Sequence, residues 1–132
     1  MKLIRFVSLV VFVVCLVCFC GCAPEEGLVR FAVSGTVALP DGKPAPAGDI
    51  TFEPDSAQGN KGPGSTTQIK DGKFSLPKEE GVVGGKYVVI ITPFDGVANP
   101  DSMMGKALLK LPYSSKVDFP TENSTRDFQI PK

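Results

Sequence analysis

Histidine and tryptophan are both absent from this 132-residue chain, and tyrosine occurs only twice. Without histidine there is no Ser-His-Asp or Cys-His catalysis, and the most common transition-metal ligand is missing. Charge of one sign is missing too, since 14 basic residues face 14 acidic ones. A nucleic-acid partner calls for a basic face, so that class is excluded. Cysteine is confined to residues 15, 18, 20 and 22, and none follows. Nor does any long hydrophobic run follow residue 20.

The run that exists lies at the N-terminus. Lys2 and Arg5 make a short positive region, and residues 6–20 are apolar apart from Ser8. That is shorter than the roughly 20 residues that span a bilayer, and it is the length of a signal-peptide core. The spacings Cys15-x-x-Cys18, Cys18-x-Cys20 and Cys20-x-Cys22 suggest a metal cluster or a local disulfide knot. However, the residues between them are Leu, Val, Phe and Gly in a segment read as cleaved, which favours a processing signal.

Phe19-Cys20-Gly21-Cys22 resembles the lipobox of bacterial lipoproteins, with phenylalanine where leucine is usual. The resemblance implies cleavage between Gly21 and Cys22, a diacylglyceryl group on the Cys22 thiol and acylation of the new amine. Several acyl chains at ~0.8 kcal/mol per buried methylene hold a protein on a membrane stably, as one chain does not. The expected organisation is a signal peptide over 1–21, a lipid-anchored tether over 22–30 and one domain over 31–132. Without Lys2 and Arg5, the exported chain carries 12 basic and 14 acidic side chains, a balance of −2. It has no disulfide to rely on, so packing and hydrogen bonding must stabilise it.

Past the tether the pattern has period two. Phe31, Val33, Gly35, Val37 and Leu39 alternate with smaller or polar residues, which predicts a half-buried strand. Gly35 within it predicts a bulge or a close backbone approach. Ile50 and Phe52 alternate in the same way. Residues 54–65 (PDSAQGNKGPGS) are too rich in Gly, Pro and polar groups for a regular element, and predict a mobile loop. Asp71-Gly72 between Lys70 and Lys73 predicts a tight hairpin with Ile69 and Phe74 inward. Residues 86–92 are apolar on both faces and predict a central strand. Residues 94–111 predict turns with at most one helical turn. Residues 116–119 and 125–130 predict two closing strands. The expected fold is all-β, an antiparallel seven-stranded β-sandwich.

The order Ser34-Gly35-Thr36-Val37, Asp41-Gly42-Lys43-Pro44, Ile50-Thr51-Phe52-Glu53-Pro54, Asp71-Gly72-Lys73-Phe74 and Gly85-Lys86-Tyr87-Val88-Val89 resembles the carboxypeptidase regulatory-like domain. That family is a transthyretin-like (prealbumin-like) sandwich. The resemblance covers residues 31–92 and extends toward 130. It implies a rigid spacer or binding module rather than an enzyme. It assigns no site residues, because the family shares none. Its purine-hydrolysing relatives depend on histidines and a C-terminal motif that this chain lacks.

No catalytic constellation and no cofactor are expected. Asp95, Asn99 and Asp101 are either turn formers or oxygen ligands for calcium, with no bidentate glutamate following. Met103-Met104 and Leu108-Leu109 form either an apolar binding lip or a lid over one end of the domain. Asn123-Ser124-Thr125 matches a glycosylation sequon, which a bacterial lipoprotein would carry by accident. The expected role is a non-catalytic module of the bacterial cell envelope, anchored through Cys22 to the outer membrane on its periplasmic or surface side. A protein partner is the first reading and an envelope polysaccharide the second. Clustered exposed aromatics would favour the sugar. A polar surface with one apolar edge would favour the protein.

Overall fold

The computed structural model describes residues 27–132. Eight strands follow in order: β1 (Val33–Ala38), β2 (Ala47–Pro54), β3 (Ser65–Lys70), β4 (Lys73–Leu76), β5 (Gly85–Phe94), β6 (Tyr113–Phe119), β7 (Ser124–Thr125) and β8 (Phe128–Gln129). They form one curled mixed sheet in the order β6-β5-β2-β3-β4-β1-β7, with β8 beside the far half of β1. The all-β expectation holds. The two closing strands differ from expectation in one respect: they lie at opposite edges, β6 antiparallel to β5 and β7 and β8 parallel to β1. Parallel partners need a connection that crosses over the fold, and residues 120–123 carry the chain across.

The alternating residues do what their period dictates. Val33 and Val37 of β1, Ile50 and Phe52 of β2, Ile69 of β3 and Phe74 and Leu76 of β4 are all buried on the inner face. β5 adds Tyr87, Val89 and Ile91, and the closing segments add Phe119, Phe128 and Ile130. Five rings form a chain through this interior: Tyr87 to Phe119 (5.6 Å), Phe119 to Phe52 (5.8 Å), Phe52 to Phe74 (5.9 Å) and Phe74 to Phe128 (6.0 Å). Those separations lie within the range of favourable edge and offset ring contacts.

β5 is one strand in from the edge, not central. Its outward Val88 and Ile90 are half-buried, because Glu53 and Lys116 flank the first and Thr51 and Ser114 the second. The β3–β4 hairpin turns where expected. Asp71 (φ 49°) and Gly72 (φ 75°) both have positive φ, as a two-residue hairpin loop with matching twist requires. Strand pairing stops immediately after Lys70 and Lys73, and the Thr67 hydroxyl donates across the widening gap to the Ser75 carbonyl at 3.0 Å.

Gly72 is locked twice, since a Cβ there would also strike Pro44 Cβ. Its amide donates to Ala45 O (2.7 Å) and its carbonyl accepts from Val37 N (2.8 Å). Gly72→Val is therefore expected to cost about 2–3 kcal/mol, combining backbone strain and overpacking. Urea unfolding measures it; an unchanged midpoint would mean that the turn is built otherwise.

Residues 54–65 correct the expectation of a loop without regular structure. They hold a 3-10 turn at Ser56–Gln58 and are tied down by Asn60. Its side-chain amide donates to Gly84 O (3.2 Å) and Lys86 O (2.8 Å), while its oxygen accepts from Gly62 N (3.0 Å). One asparagine thus does the work that composition could not foreshadow.

Candidate functional site

The strands give the domain two ends. Phe31 bridges Val82 at the end where residues 27–30 join, beside Gly85, Phe119 and residues 55–62. The other end carries residues 39–47, the β3–β4 turn and the long excursion of residues 95–112. Asp71 N donates there to Pro46 O (3.0 Å), and Gly96 packs beside Pro46. The ten residues of β5 run the full distance between them, roughly 30 Å at strand rise.

The 95–112 excursion contains no helix and is held by its own backbone and by the side chains of Asp95, Asn99 and Ser102. Asp95 Oδ1 accepts from Val97 N (2.9 Å) and Lys106 N (3.1 Å), and Asp95 N donates to Lys106 O (2.9 Å). Gly96 N donates to Met104 O (3.0 Å), and Leu108 N to Pro93 O (2.9 Å). Asn99 Oδ1 accepts from Asp101 N and Ser102 N, both at 3.0 Å. Asp95 and Asn99 therefore direct their oxygens to backbone amides, as turn residues do. Gly105 (φ 88°) is buried under Asp95 and Val97, leaving no room for a side chain.

The apolar residues of this excursion divide between two roles. Leu109 packs on the core and Met104 is half-buried, so part of the segment is a lid. Met103 is 86% exposed, Leu111 79%, Val97 67% and Leu108 42%. The lip and the lid are thus alternate residues of one segment, Met103 and Leu108 facing out where Met104 and Leu109 face in. Of the large hydrophobics exposed among the described residues, these four share one end. The other two, Leu28 and Val29, precede β1 on the Phe31 side.

A second surface is the open trough where β3 and β4 part, about 820 Å³ in volume. Ser34, Thr36, Thr66, Gln68, Ser75 and Thr125 line it, with Lys70 and Lys73 at the turn end. Its one ring, Phe74, is 4% exposed and offers no stacking face. No protein-family model, curated protein or solved structure matches the chain.

Gly21 and Cys22, the expected cleavage and lipid-attachment residues, lie outside the described residues. Tyr87 is fully buried, and its hydroxyl accepts from Val83 N at 3.1 Å. Glu79 and Glu80 are exposed in a second 3-10 turn, Lys78–Glu80. Asn123, of the sequon, receives the Ala32 amide at 2.9 Å and so fastens the start of β1 to the closing segment. Asp55 was not anticipated: it is buried although charged. Its sequence neighbours Pro54 and Ser56 signal only a loop, and the strands that cover it come from residues 86 and 116.

Proposed function

We propose that this chain is an exported lipoprotein, anchored in the bacterial envelope through acylated Cys22. In this reading it is a non-catalytic module that holds a protein partner, built as a carboxypeptidase regulatory-like sandwich that is antiparallel except where β7 and β8 lie parallel to β1. The observation that carries the reading is the placement of the four outward apolar side chains. Val97, Met103, Leu108 and Leu111 stand at the end farthest from the tether, so an anchored domain presents them away from its own membrane attachment. Exposed aliphatic groups gathered at one end are the raw material of a protein contact, and the occupant they suit is an aliphatic patch on another envelope protein. Outer-membrane placement, on the periplasmic or surface face, rests on Ala23 directly after the lipid cysteine, which is compatible with outer-membrane sorting. Polysaccharide binding is the second reading; the hydroxyl-lined trough favours it, and the lack of an exposed ring in that trough counts against it.

Two experiments separate anchor from contact. Cys22→Ser should move the protein from the membrane to the soluble fraction; a variant that stays with membranes after signal cleavage overturns the lipid assignment. A photo-crosslinking residue at Met103 or Leu111, in cells making the full chain, should trap one discrete adduct. The same probe at Thr66, on the sheet's polar face, should trap little. Equal trapping at all three positions would remove the apolar end as the binding surface.

A further inference from the structure

Asp55 sits at the Phe31 end of the domain, and its side chain is not used to cap the turn that it begins. It occupies the N-cap of the Ser56–Gln58 turn, where an aspartate ordinarily accepts a backbone amide, but its side chain makes no capping bond. Its main chain is fully used: the amide donates to Lys86 O (2.9 Å), and the carbonyl accepts from Gln58 N (3.0 Å) and Asn60 N (3.2 Å). The carboxylate, only 9% exposed, accepts no hydrogen bond among the described residues, but its oxygens are not sealed from solvent; the sealed side-chain atom without a partner is Ser124 Oγ. Its nearest cation is Lys116 Nζ, 3.9 Å from Oδ2, at the end of a side chain that is 79% exposed. A largely buried carboxylate held only by an ion pair at that distance keeps acceptor capacity toward the recess that it lines.

The carboxylate lines a recess of about 380 Å³, shared with Gln58, Lys86, Lys116, Val117 and Asp118. The recess is built, not incidental: Asn60 fixes the loop on one side, and β5 and β6 fix the lysines on the other. Lys86 Nζ donates to Gln58 Oε1 at 3.4 Å across its mouth. Its chemistry narrows the ligand by sign. A cation or guanidinium gains from Asp55 and Asp118 but meets two ammonium groups. An anion gains from Lys86 and Lys116 but meets two carboxylates. A neutral molecule with adjacent hydroxyls satisfies every group at once, its hydroxyl hydrogens going to Asp55 and its oxygens accepting from the lysines and the Gln58 amide.

We propose that this recess is a binding site for one neutral sugar residue or comparable polyol. With Val117 as its one apolar wall and no ring to stack on, affinity rests on hydrogen bonds and falls in the weak range. The site is at the opposite end from Val97 and Met103, so it stands or falls independently of the protein contact.

The test is titration of the full chain in detergent micelles with glucose, galactose, mannose and N-acetylglucosamine, followed by amide NMR. At least one sugar should shift the Gln58, Lys86 and Val117 amides saturably. Asp55→Asn should weaken that binding about tenfold or more, since it removes a charged acceptor, whereas Glu53→Gln on the exposed face should not. Lys116→Met, at an exposed side chain, should also weaken binding and decides the matter if the Asp55 variant fails to fold. The proposal is overturned if none of the four sugars moves those amides. It is equally overturned if arginine or inorganic phosphate moves them while the sugars do not.

Discussion

Phe52→Ala is expected to destabilise the domain by about 3–5 kcal/mol, the usual cost of deleting a fully buried ring. Phe52 is 0% exposed and stands in the middle of the ring chain, touching Phe74 on one side and Phe119 on the other. Those neighbours belong to different parts of the sheet: Phe74 to β4, and Phe119 to the end of β6. β3 pairs with β4 only at Lys70 and Lys73, so backbone hydrogen bonds join the β2–β3 side to the β4–β1 side over a very short length. Ring packing through Phe52 therefore carries much of the joining. Urea unfolding of wild type and variant gives the difference directly. Phe52→Leu, which refills part of the space, should recover a good share of it. A loss below about 1 kcal/mol for the alanine variant would mean that the two sides collapse independently, and that the ring chain is a consequence of the fold rather than its tie.

The inner face of this fold was legible because strands have period two. Val33, Val37, Ile50, Phe52, Ile69 and Phe74 could be placed inside from alternation alone, and all are buried. The Asp71-Gly72 turn was legible because two consecutive positive φ values demand those residue types. What the pattern does not encode is which edge a strand finds. Residues 116–119 and 125–130 alternate alike, yet one segment pairs with β5 and the other lies parallel to β1, because pairing partners depend on distant residues. Composition misled at residues 54–65 for a related reason. Gly and Pro mark the absence of a long regular element, but a single asparagine with three hydrogen bonds supplies local order.

The functional surfaces divide along the same line. That Met103-Met104 and Leu108-Leu109 were either lip or lid was readable from sequence; that each pair splits between both roles required the path of the backbone around Asp95. Asp55 was invisible for a stronger reason. Nothing local buries it, and its recess exists only once Lys86 and Lys116 come from neighbouring strands.

Gly35 gives the sharpest test of the parallel closure. Its φ is not in the left-handed region, so conformational freedom is not what the position needs. Space is: a Cβ at Gly35 would overlap the Arg126 carbonyl oxygen and lie 3.1 Å from Phe74 Cε1. The closing segment crosses directly over this glycine, with Arg126 N donating to Ser34 O at 2.8 Å and Asp127 Oδ1 accepting from Thr36 N at 3.0 Å. The Arg126 guanidinium reaches from the same point to Asp118 O, 3.0 Å away on β6, so this one crossing ties both edges of the curled sheet together. Gly35→Val must push backbone rather than a side-chain tip, and is expected to cost about 2–4 kcal/mol, at or beyond the upper range for overpacking. Because the displaced strand is short and terminal, its release should show first as faster amide exchange at Arg126 and Ile130, before the rest of the sheet opens. Amide exchange that instead rises uniformly through β2 and β5 would indicate that the closing segment and the main sheet unfold as one unit. Unchanged exchange and stability would contradict the crossing itself, and with it the parallel pairing of β7 and β8 to β1.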